Sequence, residues 1–394
     1  MTKLFTVGPI TMRESVLEEG AKQPPYFRDP SYGEMAKTII VDLLALMKAP
    51  EGSQLATLTG SGTAGMEAAV INLFDENSKV LVIDGGSFGR RFQEICEGYG
   101  IPHEVVKIAP GTDLKREHLD AYEAFDGILV NMHETSTGQL YDIDMLGKLC
   151  AEKDALLVCD IISSFLADPY DMAAMGANVS LLSTNKGLGL APGLALVALD
   201  PKAASRLKRP KSLYFRLEDY LVNAKRGQTP YTPAISVMLQ LRKRLDEIKA
   251  AGGYDAIVEQ VRAQAMDYLK NGGVVALFPS GVVSSSDTMF GPVIEREWNV
   301  FTAQLIRRSG ARVVPIYFPG ENTRWYQIAN RISAVLRQGL LLREIVKSCN
   351  KPQGPVIGKP LTDEQMEELQ RNPRGFMAWL RNYTLTLSKN PNAV

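Results

Sequence analysis

The sequence predicts an α/β protein: a mostly parallel seven-stranded sheet with helices on both faces, followed by a smaller α/β C-terminal segment. Three observations carry that expectation. From about residue 34 to 200, short β-branched apolar runs alternate with stretches of helical periodicity, as parallel strands and their crossover helices do. At 394 residues the chain exceeds the usual size of one hydrophobic core, which calls for two domains or one large domain with an appendage. After Asn271-Gly272-Gly273 the texture of the sequence changes.

The elements follow in chain order. Strands are expected over 54–58, 79–83, 103–108, 127–131, 156–160, 180–183 and 194–199, with amphipathic helices such as 64–73, 88–99 and 145–152 between them. Residues 201–232 are basic and proline-punctuated and read as a surface excursion. A long helix over 234–251 is closed by Gly252-Gly253, and another covers 255–270. Beyond it, strand-like runs over 274–278 and 312–318 flank a helix around 298–308. The domain boundary is placed near residue 260, giving a large domain over 1–260 and a second segment over 261–394.

Composition narrows the function classes. The 44 Lys and Arg balance the 44 Asp and Glu, so no global field favours nucleic acid or an anionic membrane. The four cysteines form no CxxC pair and no metal-ligand spacing, which points to a reducing cytoplasm and no metal. The N-terminus lacks a long apolar region, and the runs 155–158 and 272–278 are too short to span a bilayer, so a cytoplasmic protein without membrane contact is expected.

Three constellations suggest chemistry. Ser61-Gly62-Thr63-Ala64-Gly65 follows a strand and opens a helix, where small residues let backbone N–H groups approach an anion; a plain connection has the same sequence. The apolar run 156–159 ends in Asp160, which places a carboxylate at the C-terminal end of a central strand, where α/β sheets bind ligands. Such a carboxylate holds a pyridine nitrogen protonated, or caps a helix. Lys186 follows Ser183-Thr184-Asn185, just past a short apolar strand and ahead of the stiff turn Gly187, Gly189, Pro192 and Gly193. A desolvated lysine there forms an imine with an aldehyde, whereas most lysines are solvated surface charges.

With these in place, residues 1 to about 260 resemble a class V, fold-type I aminotransferase dependent on pyridoxal 5′-phosphate, nearest the alanine–glyoxylate and 2-aminoethylphosphonate–pyruvate branch. The motifs are Thr6-Val7-Gly8-Pro9, Ser61-Gly62-Thr63, Asp84-Gly85-Gly86-Ser87-Phe88-Gly89, His133-Glu134-Thr135-Ser136-Thr137-Gly138, Asp160, Ser183-Thr184-Asn185-Lys186 and Gln228-Thr229-Pro230-Tyr231-Thr232-Pro233. The resemblance implies that Lys186 carries the cofactor and Asp160 pairs with its ring nitrogen. Ser61, Gly62, Thr63 and Ser183 would hold the phosphate, Phe88 would stack on the ring unless it is simple core, and Thr135 would bond near the ring hydroxyl. Thr232 would reach the phosphate of a neighbouring subunit in a homodimer with shared sites, unless its loop is merely rigid. Gly8 and Arg28 would line the substrate mouth, Arg28 gripping an acidic group or forming a surface salt bridge.

The family's C-terminal arginine for the substrate carboxylate is not found; Arg324 and Arg343 stand in unfamiliar surroundings. From about Gln264 the chain instead resembles the C-terminal half of haemolysin-like lysophospholipid acyltransferases. The segments are Phe278-Pro279-Ser280-Gly281, Phe290-Gly291-Pro292, Gly320-Glu321-Asn322-Thr323-Arg324 and Ile357-Gly358-Lys359-Pro360. That family's chemistry needs a histidine with an aspartate five residues on. Five past His103, His118 and His133 stand Ile108, Glu123 and Gly138, so the acyl-transfer base is absent.

The expected function is transfer of an amino group from a small amino acid or aminophosphonate to a 2-oxo acid such as pyruvate or glyoxylate. The alternatives are an acyltransferase-like or lipid-binding protein, and a catalytically impaired scaffold that binds pyridoxal phosphate.

Overall fold

The computed structural model describes residues 8–389 apart from 110–111, 278, 281–283, 287, 289, 296–297, 299, 333–339, 341–342, 345 and 350–353. Of the motif residues above, Thr6, Val7, Phe278 and Gly281 lie outside the described residues. The chain divides into two compact units, Met1–Thr135 with Gln139–Ala263, and Gln264–Val394 with Ser136–Gly138.

In the first unit the elements run α1 (Glu14–Gly20), α2 (Pro30–Leu46), β1 (Gln54–Gly60), α3 (Gly62–Leu73), β2 (Val80–Asp84), α4 (Ser87–Tyr99), β3 (His103–Lys107) and β4 (Gly127–Asn131). A short hairpin of β5 (His133–Glu134) and β6 (Gln139–Leu140) leads to α5 (Ile143–Glu152), β7 (Leu156–Asp160), β8 (Val179–Ser183) and β9 (Gly193–Leu199). Helices α6 (Pro201–Ser205), α7 (Leu217–Ala224) and α8 (Ile235–Ala250) follow, and the division between the units falls within α9 (Tyr254–Lys270). Local chemistry sets the ends. Asp29 caps α2 by accepting from the Ser31 amide at 2.8 Å, with Pro30 at the first helical position. Asp142 caps α5 through the Met145 amide, and Gly100, at φ 68°, closes α4 in the left-handed conformation.

The sheet has seven strands in the order β1-β9-β8-β7-β4-β2-β3. β9 runs antiparallel to both its neighbours, and every other adjacent pair is parallel. Each sheet strand starts and ends within two residues of its expected span. Side chains alternate between faces along each strand. Leu81, Ile83, Ile128, Val130, Leu157 and Cys159 join the core that includes Ile39 and Leu43 of α2, Leu146 of α5 and Leu241 of α8. Val80, Val82, Leu129, Leu156 and Val158 join the core on the other face, with Met66 and Val70 of α3, Phe92 of α4 and Tyr220 of α7. Burial on both faces is what makes these strands read as near-continuous apolar runs.

Residues 201–232 correct one expectation. Rather than a surface excursion, the stretch contains α6 and α7 and sends Ala203, Leu217, Tyr220 and Leu221 into the core. Pro201 does not hold the chain out but starts a helix, capped by the Asp200 carboxylate on the Ala203 amide at 2.7 Å.

The second unit is built from helices Val300–Ser309, Arg324–Ile332, Asp363–Arg371 and Pro373–Thr386 and two short antiparallel ladders, Ser285–Ser286 with Val293–Ile294 and Ile316–Tyr317 with Val356–Ile357. Its core gathers Ala303, Ile306, Leu361, Leu369, Phe376, Met377 and Leu380. The helix expected around 298–308 is present. The strand expected over 274–278 is not: its described residues, 274–277, pair with nothing in a ladder, and of 312–318 only Ile316 and Tyr317 do. Val274 is 82% exposed, so no neighbouring apolar face rewards an extended pairing there. No described helix is long and apolar enough to cross a membrane.

Candidate functional site

The parallel strands β1, β2, β4, β7 and β8 all end at one edge of the sheet, in Gly60, Asp84, Asn131, Asp160 and Ser183. Most of the residues expected to carry chemistry gather along this edge. Asp160 ends β7, and its register partner on β4 is Asn131. The carboxylate is 6% exposed; Oδ2 accepts from Asn131 Nδ2 at 2.6 Å, and Oδ1 accepts from the Ile162 amide at 2.8 Å. The latter bond closes a local turn; no helix begins directly after Asp160, so the helix-cap alternative does not apply. Burial pushes the Asp160 pKa up to about 6, against the pull of the two hydrogen bonds. The Glu134 charge raises it further, while Arg91 lowers it.

Lys186 lies in the turn between β8 and β9, which its neighbours hold. Thr184 Oγ1 donates to the Ala191 carbonyl at 2.8 Å, and the Leu190 amide donates to the Thr184 carbonyl at 3.0 Å. From α8, Arg244 Nε donates to the Leu188 carbonyl at 3.1 Å. Burial lowers the Lys186 pKa below that of a free lysine, and the Asp160 charge pulls it back up. The fold thus brings the two residues, 26 apart in sequence, to the same edge of the sheet. Gly8 packs on the lysine stem: a Cβ there would stand 2.4 Å from Lys186 Cδ, at a backbone φ of 131°.

The turn into α3 brings Ser61, Gly62 and Thr63 to the same edge. Ser61 occupies the N-cap position, but its side chain makes no capping bond. Gly62 is buried against Ile162 and Ser183; a Cβ on it would lie 2.4 Å from Ile162 Cδ1 and 3.4 Å from Ser183 Cβ. A larger residue at 62 would have to push the Ile162 side chain aside for α3 to begin beside the turn after Asp160. Phe88 opens α4, half-buried, and its amide and that of Gly89 donate to the Glu134 carboxylate at 3.1 and 2.9 Å. A carboxylate on a helix N-terminus fixes that end of α4. Thr135 is tied to the turn after Asp160 through a 2.5 Å bond with the Ser163 hydroxyl.

Two expected residues stand apart. Arg28 is exposed, donates to Gln228 Oε1 at 3.3 Å and lies 4.8 Å over the Phe27 ring, so its guanidinium serves a surface contact rather than a salt bridge. Thr232 is exposed, its carbonyl accepting from Thr59 Oγ1 at 3.4 Å, in a loop braced by Tyr231 stacked on Tyr214 at 5.0 Å. Three residues were not singled out from the sequence: Asn131, Glu134 and Arg91. Arg91 carried a signal, since three positions past Phe88 on a helix is the same face. Glu134 stands within the His133 to Gly138 motif without a role of its own there, and Asn131 carried no signal, because its role depends on strand pairing.

The donor set fits pyridoxal phosphate: an amine with a depressed pKa, a buried carboxylate, an aromatic plate and a hydroxyl-bearing helix start share one sheet edge. Comparison with known proteins agrees. The family model Aminotransferase class-V matches residues 46–277. A soluble hydrogenase small subunit of Synechococcus sp. is 29% identical over 261 residues, 63% of this chain and 67% of that protein. A 2-aminoethylphosphonate–pyruvate transaminase of Burkholderia thailandensis is 27% identical over 263 residues, 64% and 70%. Among solved structures, an aspartate aminotransferase of subgroup IV from Thermus thermophilus matches with a TM-score of 0.64 at 31% identity, over 69% of this chain and 77% of that one. The chain belongs to the class-V aminotransferases, a family of pyridoxal-phosphate-dependent transferases.

Proposed function

We propose that this protein binds pyridoxal 5′-phosphate on Lys186 and transfers an amino group from a small amino acid or aminophosphonate to pyruvate or glyoxylate. The observation that carries the reading is that a half-buried lysine of lowered pKa and a buried carboxylate stand at the same C-terminal edge of the sheet. The name of the Burkholderia relative supports this substrate class.

When bound, the cofactor supplies an aldehyde and an electron-withdrawing ring. The chain supplies the rest. Lys186, poorly solvated, presents a neutral amine at lower pH than a surface lysine, which suits it as nucleophile and as carrier of the proton at the substrate carbon. Asp160, held at both oxygens, would keep a proton on the ring nitrogen of the bound cofactor. Phe88 forms a flat wall, and Ser61, Gly62, Thr63 and Ser183 offer hydroxyls and first-turn amides to the phosphate. Thr135 would bond near the ring hydroxyl. We further propose a homodimer in which Thr232, exposed on its braced loop, reaches the partner's phosphate site, with Gly8 and Arg28 at the substrate mouth.

The test is an absorbance spectrum before and after borohydride, with peptide mapping. The label is expected on Lys186; label on another lysine, or none after incubation with pyridoxal phosphate, refutes the assignment. Half-reactions with L-alanine and 2-aminoethylphosphonate separate a working enzyme from an impaired scaffold. For the second unit we propose no acyl transfer, because all three histidines of the chain lie in the first. Release of coenzyme A with a lysophospholipid acceptor contradicts that.

A further inference from the structure

Arg91, the fifth residue of α4, touches the proposed site at several places at once. Its guanidinium carbon lies 4.8 Å from the centroid of the Phe88 ring, within cation–π range. Its Nη1 donates to Thr63 Oγ1 at 3.1 Å, bridging α4 to the first turn of α3. Its charge also acts on Asp160, at the end of β7. One side chain thus contacts the aromatic wall and the hydroxyl of the helix start, and feels the carboxylate floor.

We infer that Arg91 is the cation of the phosphate seat, a binding residue that holds Thr63 and Phe88 in register and supplies the positive charge the phosphate ester needs. The inference rests on the proposed function. The seat otherwise consists of Ser61, Gly62, Thr63 and Ser183, all uncharged, and the N-terminus of α3, which contributes roughly half a positive charge. A phosphate ester near neutral pH carries close to two negative charges, so a full cation beside the seat changes the balance. The hydroxyl chemistry agrees. A threonine has one donor hydrogen and two acceptor sites; Arg91 occupies an acceptor site, which frees the hydrogen to point at an anion oxygen. Thr63 takes one of the five guanidinium N–H groups, and the fork geometry suits phosphate oxygens. Stacking on Phe88 restrains the long side chain beforehand, which reduces the ordering cost of binding.

The experiment measures dissociation constants of the full-length protein for pyridoxal phosphate and for pyridoxal, which lacks the phosphate, in wild type, Arg91→Gln and Arg91→Lys. Borohydride trapping on Lys186 confirms the binding mode for each. Loss of a charge-assisted hydrogen bond to the phosphate weakens pyridoxal phosphate binding by roughly 10- to 100-fold in Arg91→Gln. Pyridoxal binding should change by less than about threefold, and its retention shows that the variant is folded. Arg91→Lys should fall between, since it keeps the charge and loses the fork. Inorganic phosphate should compete with pyridoxal phosphate less well in Arg91→Gln than in wild type. Equal losses for both ligands overturn the inference in favour of packing alone, and no loss for either overturns it outright. Failure of the wild type to form a trappable adduct at Lys186 overturns the proposed function, and this inference with it.

Discussion

Replacing Asp160 by asparagine should stabilise the cofactor-free fold at neutral pH while removing turnover. Asp160 is buried, and burial raises its pKa from 3.8 to about 6. The sign follows from linkage. A carboxyl with a raised folded-state pKa contributes stability that is fully present below the unfolded value and is lost as pH rises through the folded value. Between pH 3.8 and about 6 the wild type should therefore lose on the order of 3 kcal/mol relative to a residue that does not titrate. Asparagine keeps one acceptor for Asn131 Nδ2 or the Ile162 amide, but turns an N–H toward the other, which costs about 1 kcal/mol or more. The net expectation is a variant more stable by about 1–2 kcal/mol above pH 6.5, and less stable near pH 4. Urea midpoints of the apoprotein at pH 4, 5, 6 and 7.5, followed by a probe of the first unit, measure this. A stability difference that does not vary with pH refutes the buried-charge argument. Undiminished transamination by the variant refutes the role of the carboxylate.

Gly8→Ala places a Cβ against the Lys186 stem at a φ of 131°. Strain of about 1–3 kcal/mol should slow trapping of the cofactor about tenfold or more, and an unchanged rate shows that Gly8 does not seat the lysine. Gly89→Ala puts a Cβ 2.4 Å from the Ile83 carbonyl oxygen and 2.9 Å from Asp84 Cα, both rigid backbone, so a loss of about 1–3 kcal/mol by thermal unfolding is expected; an unshifted midpoint contradicts the tight β2–α4 turn. Glu134→Gln removes the charge from the start of α4, which should cost about 1 kcal/mol. It should also lower the pH at which Asp160 takes up its proton, since Glu134 raises that value; a rise instead would reverse the electrostatic assignment.

The sheet was legible because burial on both faces leaves a physical mark, an unbroken apolar run such as Leu156-Leu157-Val158-Cys159. The direction of β9 was not, because Leu194 to Leu199 reads as a buried strand whichever way it runs and only its register with Gln54 to Thr59 decides. Lys186 and Asp160 stand out in the sequence because each comes at or just past the end of such a run. Asn131 also ends one, but an asparagine there has meaning only when Asp160 stands opposite it in the sheet. The run 274–278 differs for a related reason: its apolar residues suit a strand, yet strand formation is decided by what the run packs against.

The two edges of the sheet explain why function belongs to one of them. At the edge where β7 and β8 begin, polar groups are matched: Asn178 accepts from the Leu157 amide and donates to Asp200, and Lys202 donates to the Ala155 carbonyl. Arg206 grips Asp154, and Lys208 pairs with Asp75 at 2.8 Å. At the opposite edge the fold tolerates a buried carboxylate pushed up to about 6 and a lysine pushed below its ordinary value. Asn131 Oδ1 and the Tyr141 hydroxyl are buried there without a hydrogen-bond partner among the described residues. Each of these costs stability, and apolar residues would remove the cost. A fold that satisfies its polar groups at one end and leaves them strained at the other is organised around what binds at the strained end. Under the proposed function, pyridoxal phosphate would answer those liabilities together, since its aldehyde would engage the Lys186 amine and its protonated ring nitrogen would give Asp160 a positive partner.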